Sequence, residues 1–176
     1  MKHICVYCGS RDGAHPDFAR AAEATGAGIA GRGMGLVYGA GDVGLMGRVA
    51  TAALAAGGQV LGVIPTHLME KEIGKDDLTE LLVVDDMHQR KMLMFERSDV
   101  FVALPGGPGT LDELIELLTW RQIGLHDKPA HLLNLNGYWD PLITLLNSTV
   151  EHGFASASFL DFLTVHEDVD GLIAAL

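Results

Sequence analysis

Positive charge is scarce in this sequence. Twelve lysines and arginines stand against 23 aspartates and glutamates in 176 residues, a formal net charge of −11. Nucleic acid and anionic membranes are both recognised through a basic footprint, so the charge argues against either as a partner. Long apolar runs are missing as well: no stretch approaches the ~18 residues that a membrane-spanning helix needs. The opening "MKHICVYCGS" has a short apolar run and no persuasive cleavage site. It reads as a first strand, and a cytoplasmic protein is expected.

Cysteine is limited to Cys5 and Cys8. Their spacing is formally CxxC, but thioredoxin-like motifs open a helix, whereas "ICVYC" is a buried-strand pattern. Residues three apart on a strand point to opposite faces, which disfavours a bridge between them. Without a nearby pair of histidines they also make a poor zinc site. Both read as core thiols, and no metal is expected.

What is present is an ordinary globular composition, 48% apolar and 20% charged, in a chain whose length suits one domain over residues 1–176. Short apolar runs alternate with amphipathic ones throughout. Strands are expected at "HICVYCG", "GLVYGAG", "QVLGVIP", "LLVVDD", "DVFVALPGG" and "PAHLLNL", with a short seventh after Phe162. Helices are expected between them, from about Asp17 to Arg32, then "LMGRVATAALAAG", "MHQRKMLMFERS", "TLDELIELLTWRQIG", "WDPLITLLNSTVEHG" and the C-terminal segment. Thr66 to Thr79 is polar and irregular, placed over the strand ends. Continuously apolar strands interleaved with helices imply a doubly wound parallel sheet covered on both faces, in α/β/α layers. Ligands of such folds sit beyond the carboxyl ends of the strands, at a switch point. Three strand-to-helix turns therefore matter.

The first, "GAGDVG" from Gly39 to Gly44, is formally GxGxxG. It follows the second strand rather than the first, and "GVIP" stands where a ribose-binding acid belongs, so a nicotinamide cofactor is disfavoured. A turn lining a smaller ligand and a turn shaped only by helix–strand packing both remain open. In the second, "DDMHQRK", Asp86 is a plausible N-cap with Gln89 at capping-box spacing. Arg90 and Lys91 then fall in the first or second turn, where positive charge opposes the helix dipole. An anionic or electron-rich ligand accounts for that departure; a solvated charged pair is the alternative.

The third turn is "PGGPGTLDE", Pro105 to Glu113. Thr110 can cap the new helix, and free amides there make an anion site. The lysine of GxxxxGK[ST] is absent, so a single phosphate suits this turn better than a triphosphate. Glu113 and Glu116 share a helix face that Thr119 extends. Glu116 can be merely solvated. Glu113 is either an acid stabilising the first turn or a group acting on another part of the ligand.

Together these segments resemble a known family. "PGGPGTLDE" matches PGGxGTxxE, "MHQRK" matches MHxRK, and "YGAGDVGLMG" matches YGGGxxGLMG, in the order and spacing of the Lonely Guy (LOG) proteins. "CVYCGS", "KEI" and "QIGLHDKP" are similar too, and the resemblance runs from Cys5 to about Phe154. It implies a Rossmann-like homodimer with sites near the subunit interface. It also implies hydrolysis of the N-glycosidic bond of cytokinin riboside 5′-monophosphates or AMP, without a cofactor. Carried over by motif, catalysis falls to Arg90 and Glu113. Substrate contacts fall to Glu72, Arg90, Lys91, Gly107, Pro108, Gly109, Thr110, Leu111, Asp112, Glu113 and Thr119. Two positions depart from the pattern. Ala40 replaces a glycine, and Pro108 replaces a common aromatic and removes one amide donor.

An older description of such sequences, lysine decarboxylase, conflicts with the residues. A pyridoxal phosphate enzyme needs a Schiff-base lysine, and Lys2, Lys71, Lys75, Lys91 and Lys128 include no recognisable cofactor motif. A rival from another class is a non-catalytic nucleotide or molybdenum-cofactor carrier on the same fold. Arg90 with Glu113 favours hydrolysis, because a carrier has little use for a carboxylate beside a phosphate.

Overall fold

In the first strand, β1 (His3–Tyr7), side chains alternate between the two faces of a sheet, as period-two geometry requires. Ile4 and Val6, with Cys8 just beyond, join one buried cluster, and Cys5 and Tyr7 join the other. The two thiols are free, buried and on opposite faces, as the strand pattern predicts. The structure is a computed structural model and describes residues 1–69 and 77–176.

The elements follow in the expected alternation: α1 (Pro16–Gly31), β2 (Gly35–Tyr38), α2 (Gly44–Ala55), β3 (Val60–Pro65), β4 (Glu80–Val84), α3 (Met87–Glu96), β5 (Val100–Ala103), α4 (Pro108–Gln122), β6 (Ala130–Leu133), α5 (Asp140–Glu151), β7 (Leu163–His166) and α6 (Val169–Ala175). A single 3-10 turn at Thr66–Leu68 opens the polar segment after β3. All strand pairings are parallel, in the order β4-β3-β2-β1-β5-β6-β7. Buried side chains of α1, α2 and α6 cover one face, and those of α3, α4 and α5 cover the other. The sheet is therefore Rossmann-like and doubly wound, in three layers.

The chain winds outward from β1 to β4, then returns to add β5 on the other side of β1. Connections leaving β1 and β5 consequently diverge to opposite faces, and a crevice opens between them at their carboxyl ends. Tyr7 pairs with Ala103, so "CGS" after β1 and "PGGPG" after β5 come out at one level. Gly9 N–H donates to the Pro105 carbonyl at 3.1 Å and ties the two turns together.

Two helix starts refine the sequence reading. Asp86 caps α3 by accepting from Gln89 N–H at 2.9 Å, while the Gln89 amide oxygen accepts from Asp85 N–H at 3.1 Å, one residue before the cap. Thr110, expected as the cap of α4, is not the cap. The helix begins two residues earlier, with Gly107 as N-cap and Pro108 at the first position. Proline suits that position, because its φ is preset and the missing N–H is one that no helix satisfies internally. Glu113 thus lies in the second turn, beyond the reach of first-turn dipole stabilisation, and α4 carries no acid in its first turn.

On the far side of the sheet His131 of β6 is buried, and its Nδ1 lies 2.9 Å from Nε2 of His166 on β7. Burial, then the charges of His166 and Lys2, pull His131 down to about 4, and burial lowers His166 as well. The folded protein holds both rings neutral, whereas unfolded histidine binds a proton near pH 6.5. Their stabilising contribution is complete above pH ~6.5 and is lost as pH falls toward the folded value, on the order of 1–2 kcal/mol between pH 7 and pH 5. Thermal unfolding of wild type is expected to weaken over this interval more steeply than that of His131→Gln. Equal slopes would contradict the coupling.

Candidate active site

Arg90 anchors the crevice. Its side chain leaves the first turn of α3 and is only 5% exposed. A buried guanidinium must find acceptors in the protein. Nε donates to the Val63 carbonyl of β3 at 3.1 Å, Nη2 to the Gly39 carbonyl beyond β2 at 2.5 Å, and Nη1 lies 3.7 Å from the Met87 sulfur. The cation is thereby fixed across two strand ends. A Cβ on Gly39 would lie 2.8 Å from Cζ of Arg90 and 2.8 Å from Cε of Met46, so this glycine is required by close approach. That settles the first of the three turns: it lines a ligand-sized cleft as well as packing a helix on a strand. Ala40 beside it adopts φ 63° with its methyl against Gly62, a left-handed conformation that costs an alanine about 1 kcal/mol relative to glycine.

The cleft in front of Arg90 has a volume of about 240 Å³. Glu113 and Asp112 of α4 border it, with Gly107, Pro108, Gly109 and Thr110 at the helix start. Cys8, Gly9 and Ser10 form the wall from β1, and Met46, Leu68, Met87 and Met94 form an apolar wall beside Arg90. Burial, and after it the Glu113 charge, push the Cys5 and Cys8 thiols upward; burial, the Cys5 charge and then Glu113 do the same for Tyr7. Cys8 therefore remains a protonated thiol.

The amides of Gly109 and Thr110 precede the first intrahelical bond of α4, Leu111 N–H to the Gly107 carbonyl at 3.1 Å. A Cβ on Gly107 or Gly109 would meet nothing among the described residues within 4 Å, so the chain is not packed there as it is at Gly106. Gly106 differs. A Cβ there would sit 2.7 Å from Cβ of Thr110 and 2.9 Å from N of Gly9. The turn is thus packed from behind and open in front, the form an anion seat needs.

Lys91 is placed differently from Arg90. Its Nζ binds the Asp112 carboxylate at 3.0 Å and that of Glu116 at 3.1 Å. Burial alone would lower its pKa, but the hydrogen bonds and charges of these acids outweigh burial and raise it. The solvated reading does not hold: Lys91 ties α3 to α4, and Glu116 is its partner. Leu111 packs in the core, and Thr119 is exposed, its hydroxyl donating to the Ile115 carbonyl at 2.7 Å. Neither borders this cleft. Glu72 falls outside the described residues. The methionine wall and the carbonyls that hold Arg90 were not legible as site features. Only the strand-end rule could have pointed to them.

The lysines do not suit pyridoxal phosphate. Lys91 is held protonated between two acids, Lys2 binds the Leu176 carbonyl at 2.6 Å, and Lys128 binds the carbonyls of Phe95 and Ser98 at 2.7 and 2.8 Å. No lysine among the described residues offers a neutral amine in the cleft.

The fold defines a Rossmann-like α/β protein, and this cleft lies at its β1–β5 switch point. Residues 46–176 match the family model described as possible lysine decarboxylase, and the chain belongs to that family. Among similar proteins, the probable cytokinin riboside 5′-monophosphate phosphoribohydrolase LOGL1 of Oryza sativa subsp. japonica is 48% identical over 168 residues, covering 93% of this chain and 75% of its own. The cytokinin riboside 5′-monophosphate phosphoribohydrolase LOG1 of Arabidopsis thaliana is 48% identical over 156 residues, covering 89% and 73%. In structure the chain is similar to the molybdenum cofactor carrier protein of Chlamydomonas reinhardtii, with a TM-score of 0.76, 26% identity, and coverage of 99% of this chain and 94% of that one.

Gly39→Ala tests the seat of Arg90. Overpacking against the guanidinium is expected to cost about 1–3 kcal/mol in unfolding free energy. A crystal structure of the variant should show the guanidinium displaced from the Gly39 carbonyl. An unmoved Arg90 with unchanged stability would show that the glycine is not needed for space.

Proposed function

We propose that this protein hydrolyses the N-glycosidic bond of an adenine-type nucleoside 5′-monophosphate, a cytokinin riboside 5′-monophosphate or AMP, releasing the base and ribose 5-phosphate. The observation that carries the proposal is the convergence of a fixed Arg90 and the Glu113 carboxylate on one cleft whose floor is the start of α4. The relatives at 48% identity are hydrolases by name, whereas the carrier is 26% identical, which favours hydrolysis over carriage.

Cleavage of an N-glycosidic bond leaves positive charge on the ribose and negative charge on the departing base. In this reading the phosphate sits on the amides of Gly107, Gly109 and Thr110. Pro108 has no N–H to add, but as the first helical residue it subtracts nothing from the helix. Glu113, one further turn along, meets the ribose hydroxyls, and stabilises the oxocarbenium-like ring or orients the attacking water. Arg90 stabilises the departing base electrostatically; an arginine gives up a proton too reluctantly to act as the acid. The methionine and leucine wall receives the apolar faces of the base, and methionine adapts its shape readily. Anchoring the phosphate makes binding energy available to orient the bond that breaks.

Lys91 and Asp112 contribute by setting α3 against α4, so the reading places them at the edge of the site. Thr119, together with exposed Met92 of α3 and Ile115 of α4, lies where a second copy would complete the site of a homodimer. We place this dimer in the cytoplasm. No helix among the described residues is long and apolar enough to cross a membrane.

Glu113→Gln is expected to bind AMP as wild type does and to release adenine at least ~10²-fold more slowly, the scale of one catalytic electrostatic group. Chromatographic detection of free base checks this, and near-normal turnover removes Glu113 from the chemistry. Adenosine, which lacks the phosphate, should be a poor substrate beside AMP; comparable turnover of the two would contradict the phosphate seat.

A further inference from the structure

Behind the turn that follows β5 lies a second recess of about 540 Å³, walled by Phe18, Leu45, Pro105, Pro108 and Tyr138. Gly107 borders both this recess and the cleft, whereas Arg90 and Glu113 border only the cleft. The Tyr138 ring is held edge-on by Phe18 and Trp139, with centroids 5.5 and 4.8 Å away, and its hydroxyl donates to the Gly106 carbonyl at 2.5 Å.

That hydrogen bond sets the plane of one peptide. In a trans peptide the carbonyl of one residue and the N–H of the next point in opposite directions. Drawing the Gly106 carbonyl toward Tyr138 turns the Gly107 N–H away from the tyrosine hydroxyl, and Gly107 itself borders the cleft. The Gly107 N–H makes no hydrogen bond among the described residues. A Cβ on Gly107 would meet nothing among the described residues within 4 Å, and Gly107 borders the cleft. Two consecutive glycines allow this peptide to rotate at little steric cost. The rotated form would present a carbonyl oxygen where a phosphate oxygen must sit. Because Pro108 has no N–H, the seat relies on few amides, and the orientation of each one matters.

We propose that Tyr138 is a positioning residue for the phosphate, acting through the Gly106–Gly107 peptide. This rests on the phosphate placement given above. The tyrosine touches neither the ribose nor the base; it fixes which end of one peptide dipole faces the anion.

Tyr138→Phe keeps the ring and removes only the hydroxyl. With AMP as substrate, KM is expected to rise about tenfold with kcat little changed, the signature of lost uniform binding. Calorimetric Kd values for AMP and ribose 5-phosphate should weaken by the same factor, and that for adenosine should not move. Unchanged affinity for AMP and ribose 5-phosphate would overturn the proposal. So would an equal loss for AMP and adenosine, which would mark a general structural role. If wild type releases no base from AMP, the hydrolytic reading fails, but the binding measurements still decide the role of Tyr138. Failure of wild type to bind ribose 5-phosphate would overturn it outright.

Discussion

Burying the Arg90 guanidinium is the constraint on which the site depends. At 5% exposure it has given up most of its hydration and must be repaid in hydrogen bonds. Among the described residues, its acceptors include the carbonyls of Val63 and Gly39, at the ends of two neighbouring strands. A parallel sheet leaves carbonyls unpaired at its carboxyl edge, and here that edge supplies what the cation needs. The cost appears in the surroundings. Gly39 has to be glycine because the guanidinium lies against it, and the next residue, Ala40, takes a left-handed conformation at φ 63°.

Two adjacent cations on α3 have separate roles because a helix points consecutive residues about 100° apart. Arg90 turns toward the strand ends and Lys91 toward α4, where Asp112 and Glu116 neutralise it. Those same acids lie one residue before and three residues after Glu113 on α4. The ion pairs thus fix the rotation of α4 about its axis relative to α3, and with it the direction in which Glu113 faces. Asp112 is largely solvated, so the pair with Glu116 is the stronger part of this tie.

Much of this was legible in the sequence. Strands such as "VFVA" and "VLGVIP" are apolar, short and bounded by turn residues, and their alternation with amphipathic helices determines a parallel sheet. The switch point followed from that, and with it both glycine turns, after β2 and after β5, as walls of a cleft. Three things were less accessible. Thr110 looked like a cap because threonine commonly is one, but proline at 108 sets the helix start earlier. The partners of Lys91 lie 21 and 25 residues away, and nothing local indicates which acids fold over it. The described acceptors of Arg90 and Tyr138 include backbone carbonyls, which every residue carries and no composition reveals.

The acidity of the chain bears on how it would hold a phosphate. With a net charge of −11, the long-range field repels an anion. Among the described residues, Arg90 borders the cleft with its guanidinium on strand carbonyls, and its neighbour Lys91 is paired with Asp112 and Glu116. In the proposed reading, attraction at the turn after β5 would come chiefly from oriented peptide dipoles, which act over short distances and only when aimed correctly. A lysine can swing to meet its ligand, but a peptide has to be held. This explains why the back of the turn is packed so closely, with Thr110 against Gly106, Gly9 bonded to Pro105, and a tyrosine hydroxyl on the Gly106 carbonyl. In the proposed reading, rigidity behind the glycines would take the part that positive charge plays in other phosphate sites, holding the peptides of the turn where an anion could meet them.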